Sequence, residues 1–181
     1  MVDALAAARI GTTFNFYRDG PRAALLRERL AGYLDERDDA PFLLVAEAPG
    51  YRGTRVSGIP LTSERQLTGS GPTEATATIV HRVLCELGLE DHVLLWNVVP
   101  THPHLPGAPN SNRRPTHAEV AASSHFLAAL ARGRRVVPVG RFAHAVLGGR
   151  YVRHPSHGGA ARFRAGLLEY VRAERHGRAR L

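Results

Sequence analysis

The strongest indication of the fold class is the segment Phe42-Leu43-Leu44-Val45-Ala46-Glu47-Ala48-Pro49-Gly50. It begins with a continuous apolar run and ends in a Pro-Gly turn. A short run of this kind is typical of a strand buried on both faces, as in parallel sheets that helices cover on each side. Glu47 stands just beyond the apolar residues. The stretch therefore predicts a buried parallel strand with a carboxylate at its carboxyl end.

Three further segments are predicted to be strands. Residues 93–96 form a second buried apolar run that delivers Asn97 at its end. Residues 135–139 form a third strand, and residues 151–152 form a fourth that runs into His154. Helical spacing or capping signals lie before, between and after these strands, at residues 22–34, 73–87, 116–131, 142–147 and 161–174. This alternation predicts an α/β protein with a mainly parallel sheet.

The composition favours a single basic domain inside the cell. We expect one domain over residues 1–181, with its core at about residues 40–175. The formal charge is +8, and every basic residue other than histidine is an arginine, which indicates either a polyanionic partner or an arginine-rich compositional bias. Cys85 is the single cysteine, so one chain cannot form a disulfide, and a reducing, cytoplasmic compartment is expected. The sequence shows no secretion leader and no apolar run of about 18 residues, so we expect no membrane span.

Three polar residues are the candidates for chemistry. The carboxyl ends of parallel strands meet at one crevice, so we expect Glu47, Asn97 and His154 to lie close together. Glu47 can position a water molecule, act as a base or stabilise a cation, unless it only caps the turn. Asn97 offers a donor and an acceptor that match a pyrimidine edge, unless it bonds its own backbone in a turn. His154 can donate a hydrogen bond to a carbonyl oxygen that becomes negative, unless it is structural.

Two segments are predicted to contact phosphates. Ser156, His157 and Gly158 follow His154 in a glycine-rich segment whose hydroxyl and backbone suit a DNA backbone contact. Residues 100–115 form a long loop whose histidines and arginines, including Arg113 and Arg114, are also expected to meet phosphates. His102 and His104 in this loop suggest a metal site, but no acidic residue or cysteine lies nearby in sequence to complete it. We therefore predict no metal site.

Together these motifs resemble the uracil-DNA glycosylase superfamily over about residues 42–167. Within it they are most similar to the thermophile-type (family 4) branch, which carries an iron–sulfur cluster. The first motif of that branch is Gly-Glu-Ala-Pro-Gly, and its last motif begins His-Pro-Ser. The corresponding segments here are Ala46-Glu47-Ala48-Pro49-Gly50, Gly58-Ile59-Pro60-Leu61, Asn97-Val98-Val99, Arg114-Pro115 and His154-Pro155-Ser156.

The resemblance implies a three-layer α/β/α sandwich around a four-stranded parallel sheet. It implies a monofunctional glycosylase that hydrolyses the N-glycosidic bond of uracil in DNA and leaves an abasic site, without a cofactor and as a monomer. Glu47 would bring the water or stabilise the sugar cation, Asn97 would read the uracil edge, and His154 would stabilise the departing uracil anion. The base pocket would further include Ala46, Ala48, Gly50, Tyr51 and Leu61.

Three departures from the branch leave the substrate open. The four cluster cysteines are missing, so no iron–sulfur cluster is expected, and loop 100–115 is expected to take its structural place. Leu61 replaces the aromatic residue that stacks on uracil, and Ser63-Glu64-Arg65 replaces Val-Gly-Arg. The rings that could stack on the base instead are Tyr51, Phe14, Phe16 and Tyr17. The alternative functions are a protein that binds damaged DNA or abasic sites without cleavage, and a glycosylase for hypoxanthine or xanthine.

Overall fold

The computed structural model describes residues 1–178 and is built on a parallel sheet. Its strands are β1 (Phe42–Ala46), β2 (Val93–Asn97) and β3 (Arg135–Pro138), in the order β2-β1-β3. The central strand β1 is buried at every position, as its continuous apolar sequence predicts. In the register of the sheet, Ala46 lies opposite Asn97. The carboxyl ends of β1 and β2 therefore meet at one edge.

The predicted fourth strand is reduced to a single residue. Val152 forms an isolated parallel bridge with Val139, just beyond the end of β3. Its N–H donates to the carbonyl oxygen of Pro138 at 3.2 Å, and its carbonyl oxygen accepts from Gly140 at 2.8 Å. Pro155 lies three residues later, and a proline both lacks an N–H and restricts the residue before it. Within residues 1–178 the sheet thus has three strands, and this bridge sits where the fourth was expected.

The helices enclose the sheet and largely follow the sequence prediction. The predicted helices are present with ends shifted by a few residues, and three short helices, at Val2–Ala7, Thr54–Ser57 and Glu64–Thr68, were not predicted. The last helix extends beyond the predicted residue 174, and residues 179–181 of the chain lie outside the described residues. The described helices are α1 (Val2–Ala7), α2 (Ala23–Glu36), α3 (Thr54–Ser57), α4 (Glu64–Thr68), α5 (Ala75–Leu87), α6 (His117–Ala131), α7 (Arg141–Leu147) and α8 (Ala160–Arg178).

Alternate strand residues supply two separate cores. Leu43 and Trp96 belong to the apolar cluster on one face of the sheet, which includes buried residues of α1, α2, α6 and α7. Leu44 and Leu95 belong to the cluster on the other face, with buried residues of α5 and α8. Successive side chains of a strand point to opposite faces, so a continuous apolar run fills both clusters. The architecture is therefore the expected three-layer α/β/α sandwich.

Helix α6 begins with a capping box. The Thr116 hydroxyl accepts from the backbone N–H of Glu119 at 3.2 Å, and the Glu119 carboxylate accepts from the backbone N–H of Thr116 at 2.8 Å. This confirms the start of the predicted helix.

None of the described helices is long and apolar enough to cross a bilayer.

Candidate active site

Glu47 lies one residue past the end of β1, at the carboxyl edge of the sheet. Its backbone carbonyl accepts from Val99 at 3.2 Å, which ties the turn to the segment after β2. Its side chain is 37% exposed, and Oε1 lies 4.0 Å from Nε of Arg114. Burial raises the pKa of the Glu47 carboxyl, and the positive charge of Arg114 offsets part of this shift. The site therefore holds a partly desolvated carboxylate with one weak ionic partner.

Asn97 is the last residue of β2 and is 1% exposed. Its Oδ1 is completely buried and has no hydrogen-bond partner among the described residues. Buried side-chain oxygens are nearly always hydrogen-bonded, because leaving one unpaired costs about 1–3 kcal/mol. The alternative predicted from the sequence was that the Asn97 side chain bonds its own backbone in a turn. The structure does not show that bond, since Oδ1 bonds no backbone group of the described residues. Asn97 thus carries a buried acceptor that has no donor among the described residues.

His154 follows the Val152 bridge and is held in one tautomer. Its Nδ1 accepts from the backbone N–H of Ser156 at 3.2 Å and lies 2.8 Å from the Ser156 hydroxyl oxygen. An imidazole nitrogen that accepts from a backbone N–H carries no proton, so the proton of the neutral ring is on Nε2. Burial, with smaller contributions from Arg153 and His157, lowers the pKa of His154 from 6.5 to about 4. At neutral pH, His154 is an uncharged donor through Nε2.

Two glycines allow the backbone to approach His154 closely, Gly140 just after β3 and Gly159 in the segment of His154 itself. A Cβ atom on Gly140 would lie 3.1 Å from Cβ of His154, and Gly140 has a φ of +90°. A Cβ atom on Gly159 would lie 2.1 Å from the carbonyl oxygen of His154. Gly159 belongs to the glycine-rich segment predicted to contact phosphates, whereas Gly140 was not predicted to be part of the site. Its signal was its place directly after the third predicted strand.

The turn after Glu47 closes over a second carboxyl group that the sequence did not reveal. A Cβ atom on Gly50 would lie 2.9 Å from Oε1 of Glu74, and one on Gly53 would overlap Oε2 of Glu74. Burial raises the pKa of Glu74. Of the predicted pocket residues in this turn, Ala46 is buried, and Ala48, Gly50 and Tyr51 are half-buried. Glu74 is 27 positions from Glu47 in sequence, so only the fold brings it to this turn.

Leu61 is 8% exposed and belongs to the apolar cluster with α5 and α8. It adopts a left-handed backbone with a φ of +52°, which is unusual for a leucine. The Thr54 hydroxyl accepts from the Leu61 N–H at 3.1 Å, and the next residue, Thr62, contacts Nε2 of His81 at 2.9 Å. These bonds hold Leu61 rigidly in a conformation that only its surroundings can maintain.

The candidate stacking rings divide into core residues and accessible residues. Phe16 is 2% exposed and Tyr17 is 1% exposed, and both belong to the core, so neither is available to stack on a base. Phe14 and Tyr51 are half-buried. The guanidinium group of Arg55 lies 5.3 Å from the centre of the Phe14 ring, and that of Arg52 lies 5.2 Å from the Tyr51 ring. Of these four rings, Phe14 and Tyr51 remain candidates.

Arg113 and Arg114 are adjacent in sequence but have different environments. The Arg113 guanidinium binds both carboxylate oxygens of Glu119, at 2.5 and 2.8 Å, and also donates to the carbonyl oxygen of His104 at 2.9 Å. The Glu119 side chain is only 2% exposed. Arg114 is 74% exposed beside Glu47, and its guanidinium lies 5.6 Å from the Phe142 ring. Of these two arginines, only Arg114 has an exposed guanidinium that can meet a phosphate, because the Arg113 guanidinium is bound to Glu119.

His102 joins loop 100–115 to the rest of the site. It is fully buried, so the expectation that it meets phosphates is wrong. Its Nδ1 lies 2.8 Å from the carbonyl oxygen of Pro49, in the turn that follows Glu47. Its backbone pairs with Phe14 in an antiparallel bridge, and the hydroxyls of Thr13 and Thr101 are 2.5 Å apart. The loop is thereby tied to both the N-terminal segment and the turn.

The described residues contain no group of three His, Cys, Asp or Glu side chains arranged to hold a metal ion. The chemistry available at the sheet edge is instead that of Glu47, Asn97 and His154. They provide a carboxylate, an unpaired amide oxygen and a neutral imidazole N–H donor.

Comparisons with known proteins agree with this arrangement. The family model described as the uracil DNA glycosylase superfamily matches residues 32–175. Among solved structures, the chain is similar to the crystal structure of wild-type SMUG2 from Pedobacter heparinus, with a TM-score of 0.64 and 14% sequence identity. That similarity covers 98% of this chain and 96% of the other, and at this identity it shows a shared fold. A search of curated protein sequences finds no match.

The family model covers most of the chain and includes the segments that carry Glu47, Asn97 and His154. The chain therefore belongs to the uracil DNA glycosylase superfamily and is a DNA glycosylase, a hydrolase that acts on N-glycosyl bonds.

Proposed function

We propose that this DNA glycosylase removes uracil from DNA by hydrolysing the N-glycosidic bond, and that it leaves an abasic site. The observation that carries the proposal is the unpaired, fully buried Oδ1 of Asn97 at the carboxyl end of β2. A flipped-out base is read through hydrogen bonds to its edge. Uracil presents an N–H donor beside a carbonyl acceptor, and the Asn97 amide complements both groups. With the amide in the orientation of the structure, cytosine would place its unprotonated ring nitrogen at the Asn97 oxygen and leave that oxygen unpaired.

His154 is proposed to stabilise the leaving base. When the glycosidic bond breaks, the electron pair stays on uracil, and negative charge develops on its ring carbonyl oxygens. A fixed donor aimed at the place where charge develops lowers the barrier more than it strengthens substrate binding. The Nε2–H of His154 has no hydrogen-bond partner among the described residues and is the proposed donor.

Glu47 is proposed to serve the sugar side of the reaction. Cleavage leaves a positively charged sugar that a water molecule must attack, and a carboxylate can stabilise that cation and orient the water. The raised pKa of Glu47 makes it a better proton acceptor than an ordinary glutamate carboxylate. Its partial exposure supports access for water.

The proposed DNA contacts lie beside these residues. Arg114 is exposed next to Glu47, and Ser156, His157 and Gly158 follow His154 directly. Phosphate contacts of this kind offset the few kcal/mol needed to flip a nucleotide out of the duplex. We further propose a single-domain monomer without a cofactor that works in the cytoplasm, where its one free cysteine, Cys85, stays reduced.

A second candidate function is the removal of hypoxanthine or xanthine. Both purines carry the same pairing of a ring N–H with a carbonyl group, so the Asn97 amide complements them equally well. The feature that favours this candidate is Leu61, an aliphatic residue at the position where the resemblance implies an aromatic residue that stacks on uracil.

An assay with a panel of bases tests the proposal. Oligonucleotides containing uracil, hypoxanthine or xanthine, single- and double-stranded, are incubated with excess enzyme at low salt, and abasic sites are detected by alkaline cleavage. We expect the uracil strand to be cut, and Glu47→Ala and His154→Ala to lose most of this activity. Glu90→Ala and His92→Ala are matched controls, because both residues lie in the turn before β2, at the opposite edge of the sheet. Binding of uracil DNA without any product would contradict the proposal and favour a damage-binding protein.

A further inference from the structure

We propose that His157 is a positioning residue for the reaction: through the Ser156 hydroxyl it strengthens the hydrogen bond that Nε2 of His154 donates to the leaving base. This inference rests on the proposed role of His154. It concerns a second imidazole that directly follows the His-Pro-Ser motif.

The geometry fixes the direction of each hydrogen bond. The backbone N–H of Ser156 donates to Nδ1 of His154, so this nitrogen carries no proton. The Ser156 hydroxyl lies 2.8 Å from the same nitrogen and must therefore donate its single proton to it. The hydroxyl oxygen also lies 3.0 Å from Nδ1 of His157. Since its proton is already used, the oxygen accepts from an N–H of His157.

The three groups form a chain in which every donor points toward His154. Hydrogen bonds in such a chain polarise one another, and the effect is larger away from bulk water. Two donors on Nδ1 withdraw electron density from the ring and make its Nε2–H more acidic. A more acidic N–H stabilises an oxyanion better, so the effect grows as charge develops on the leaving base. No proton changes place in this scheme.

The backbone is arranged to make this contact. His157 has a φ of +51°, one of two left-handed residues other than glycine within residues 1–178. This conformation is uncommon for residues other than glycine, although histidine, asparagine and aspartate adopt it more often than the rest. Gly158, with a φ of +71°, follows it directly. His157 itself is exposed, so its Nε2 remains free to contact a phosphate when DNA binds.

Two nearly isosteric substitutions test the direction of the chain. In His157→Asn the amide nitrogen can donate to Ser156 as Nδ1 does, whereas in His157→Asp the carboxylate can only accept and draws the serine proton away from His154. Both residues tolerate a left-handed backbone, so both variants are expected to fold. In single-turnover reactions at saturating uracil DNA, we expect His157→Asn to stay within about threefold of wild type and His157→Asp to be slower by about tenfold.

A second background separates this effect from DNA binding. The negative charge of the Asp variant also repels phosphates, which raises the dissociation constant for DNA but leaves the rate at saturating DNA unchanged. In Ser156→Ala the chain is broken, so the Asn and Asp variants should then react at equal saturated rates and still differ in affinity. Equal rates in the Ser156 protein, or an unchanged difference in the Ser156→Ala protein, would overturn the proposal.

A readout without DNA keeps this test independent of the proposed function. The imidazole nitrogen signals of His154, assigned by their loss in His154→Asn, report the hydrogen bonds at Nδ1 directly. We expect the Nδ1 signal to differ between His157→Asn and His157→Asp, and this difference to vanish in Ser156→Ala. If the wild-type protein cleaves none of the three bases, the proposed function fails, whereas the spectra still decide whether the chain exists. Identical His154 spectra in the two variants would refute it.

Discussion

Replacing Asn97 with leucine should separate catalysis from stability. The side chain is 1% exposed, and its Oδ1 has no hydrogen-bond partner among the described residues. Removing such an oxygen relieves a penalty of about 1–3 kcal/mol, and the altered shape of leucine costs a similar amount in a packed site. We therefore expect the free energy of unfolding of Asn97→Leu to stay within about 1 kcal/mol of wild type.

Asn15 provides a matched control, because it is also an asparagine and is 2% exposed. Its Nδ2 donates to the carbonyl oxygens of Leu5 at 2.8 Å and Ala8 at 3.1 Å, and its Oδ1 accepts from the N–H of Tyr17 at 3.1 Å. Asn15→Leu removes all three bonds and leaves backbone groups unpaired. At about 1 kcal/mol for each bond, we expect a loss of roughly 3 kcal/mol or more.

The catalytic effect of Asn97→Leu should be large. Two hydrogen bonds to the base, at about 1–1.5 kcal/mol each, correspond to a rate loss of about 30- to 150-fold, since 1.4 kcal/mol is a factor of ten. Urea unfolding measures the stability of both variants, and single-turnover cleavage of uracil DNA measures the rate of Asn97→Leu. If Asn97→Leu unfolds as easily as Asn15→Leu, the amide has structural partners and the reasoning fails. Cleavage at the wild-type rate would refute the proposed reading of the base.

Three further predictions use the same assays. Burial raises the pKa of Glu47, so the rate of the wild-type enzyme should fall on acidification with a midpoint above the usual glutamate pKa of about 4.3. Glu47→Gln should lose this acid limb of the pH–rate profile and should be slower by at least about 100-fold. An identical acid limb in Glu47→Gln would exclude this role for Glu47. The pKa of His154 is lowered from 6.5 to about 4, so between these values the unfolded chain binds a proton that the folded protein does not, and stability falls as pH drops from 7 to 4. Between pH 7 and pH 4, the free energy of unfolding of His154→Asn should fall by up to about 3 kcal/mol less than that of wild type, as measured by urea unfolding. Parallel plots of stability against pH for the two proteins would contradict the lowered pKa of His154. Arg113→Ala should destabilise the protein by about 3–5 kcal/mol, because it leaves the buried Glu119 without its ionic partner. Arg114→Ala should keep the stability of wild type and only weaken DNA binding, and the slope of log binding constant against log salt concentration should become smaller by about 1. The reverse pattern would contradict these roles for the two arginines.

The fold and the positions of Glu47, Asn97 and His154 at or just beyond the strand ends were predictable, because they depend on local patterns. The apolar run at 42–45 and the run at 93–96 indicated buried parallel strands, and chain direction alone places Glu47 and Asn97 at one edge of such a sheet. The fourth strand was harder to predict, because its pairing with the sheet is limited to one bridge at Val152 and Pro155 follows three residues later. The short helices α3 and α4 were missed because four or five residues carry too little periodicity.

The arginines and histidines of loop 100–115 show where sequence reasoning ends. Arg113 and Arg114 have the same side chain and adjacent positions, yet one is locked to the buried Glu119 and the other is exposed beside Glu47. His102 was predicted to lie on a phosphate-binding surface, but it is buried against the carbonyl oxygen of Pro49. Which of these groups faces solvent depends on how the loop packs against distant segments, and no local pattern encodes that.

Hydrophobic periodicity and chain direction are local properties, so they were enough to predict the layer architecture, the strand ends and the identity of the polar groups placed there. The protonation and hydrogen bonding of those groups depend on the folded structure. The unpaired oxygen of Asn97, the tautomer and low pKa of His154, and the approach of Glu74 to Gly50 all arise from burial and from contacts between segments far apart in the chain. Desolvation and hydrogen-bond direction are set by three-dimensional neighbours, which a linear pattern does not specify.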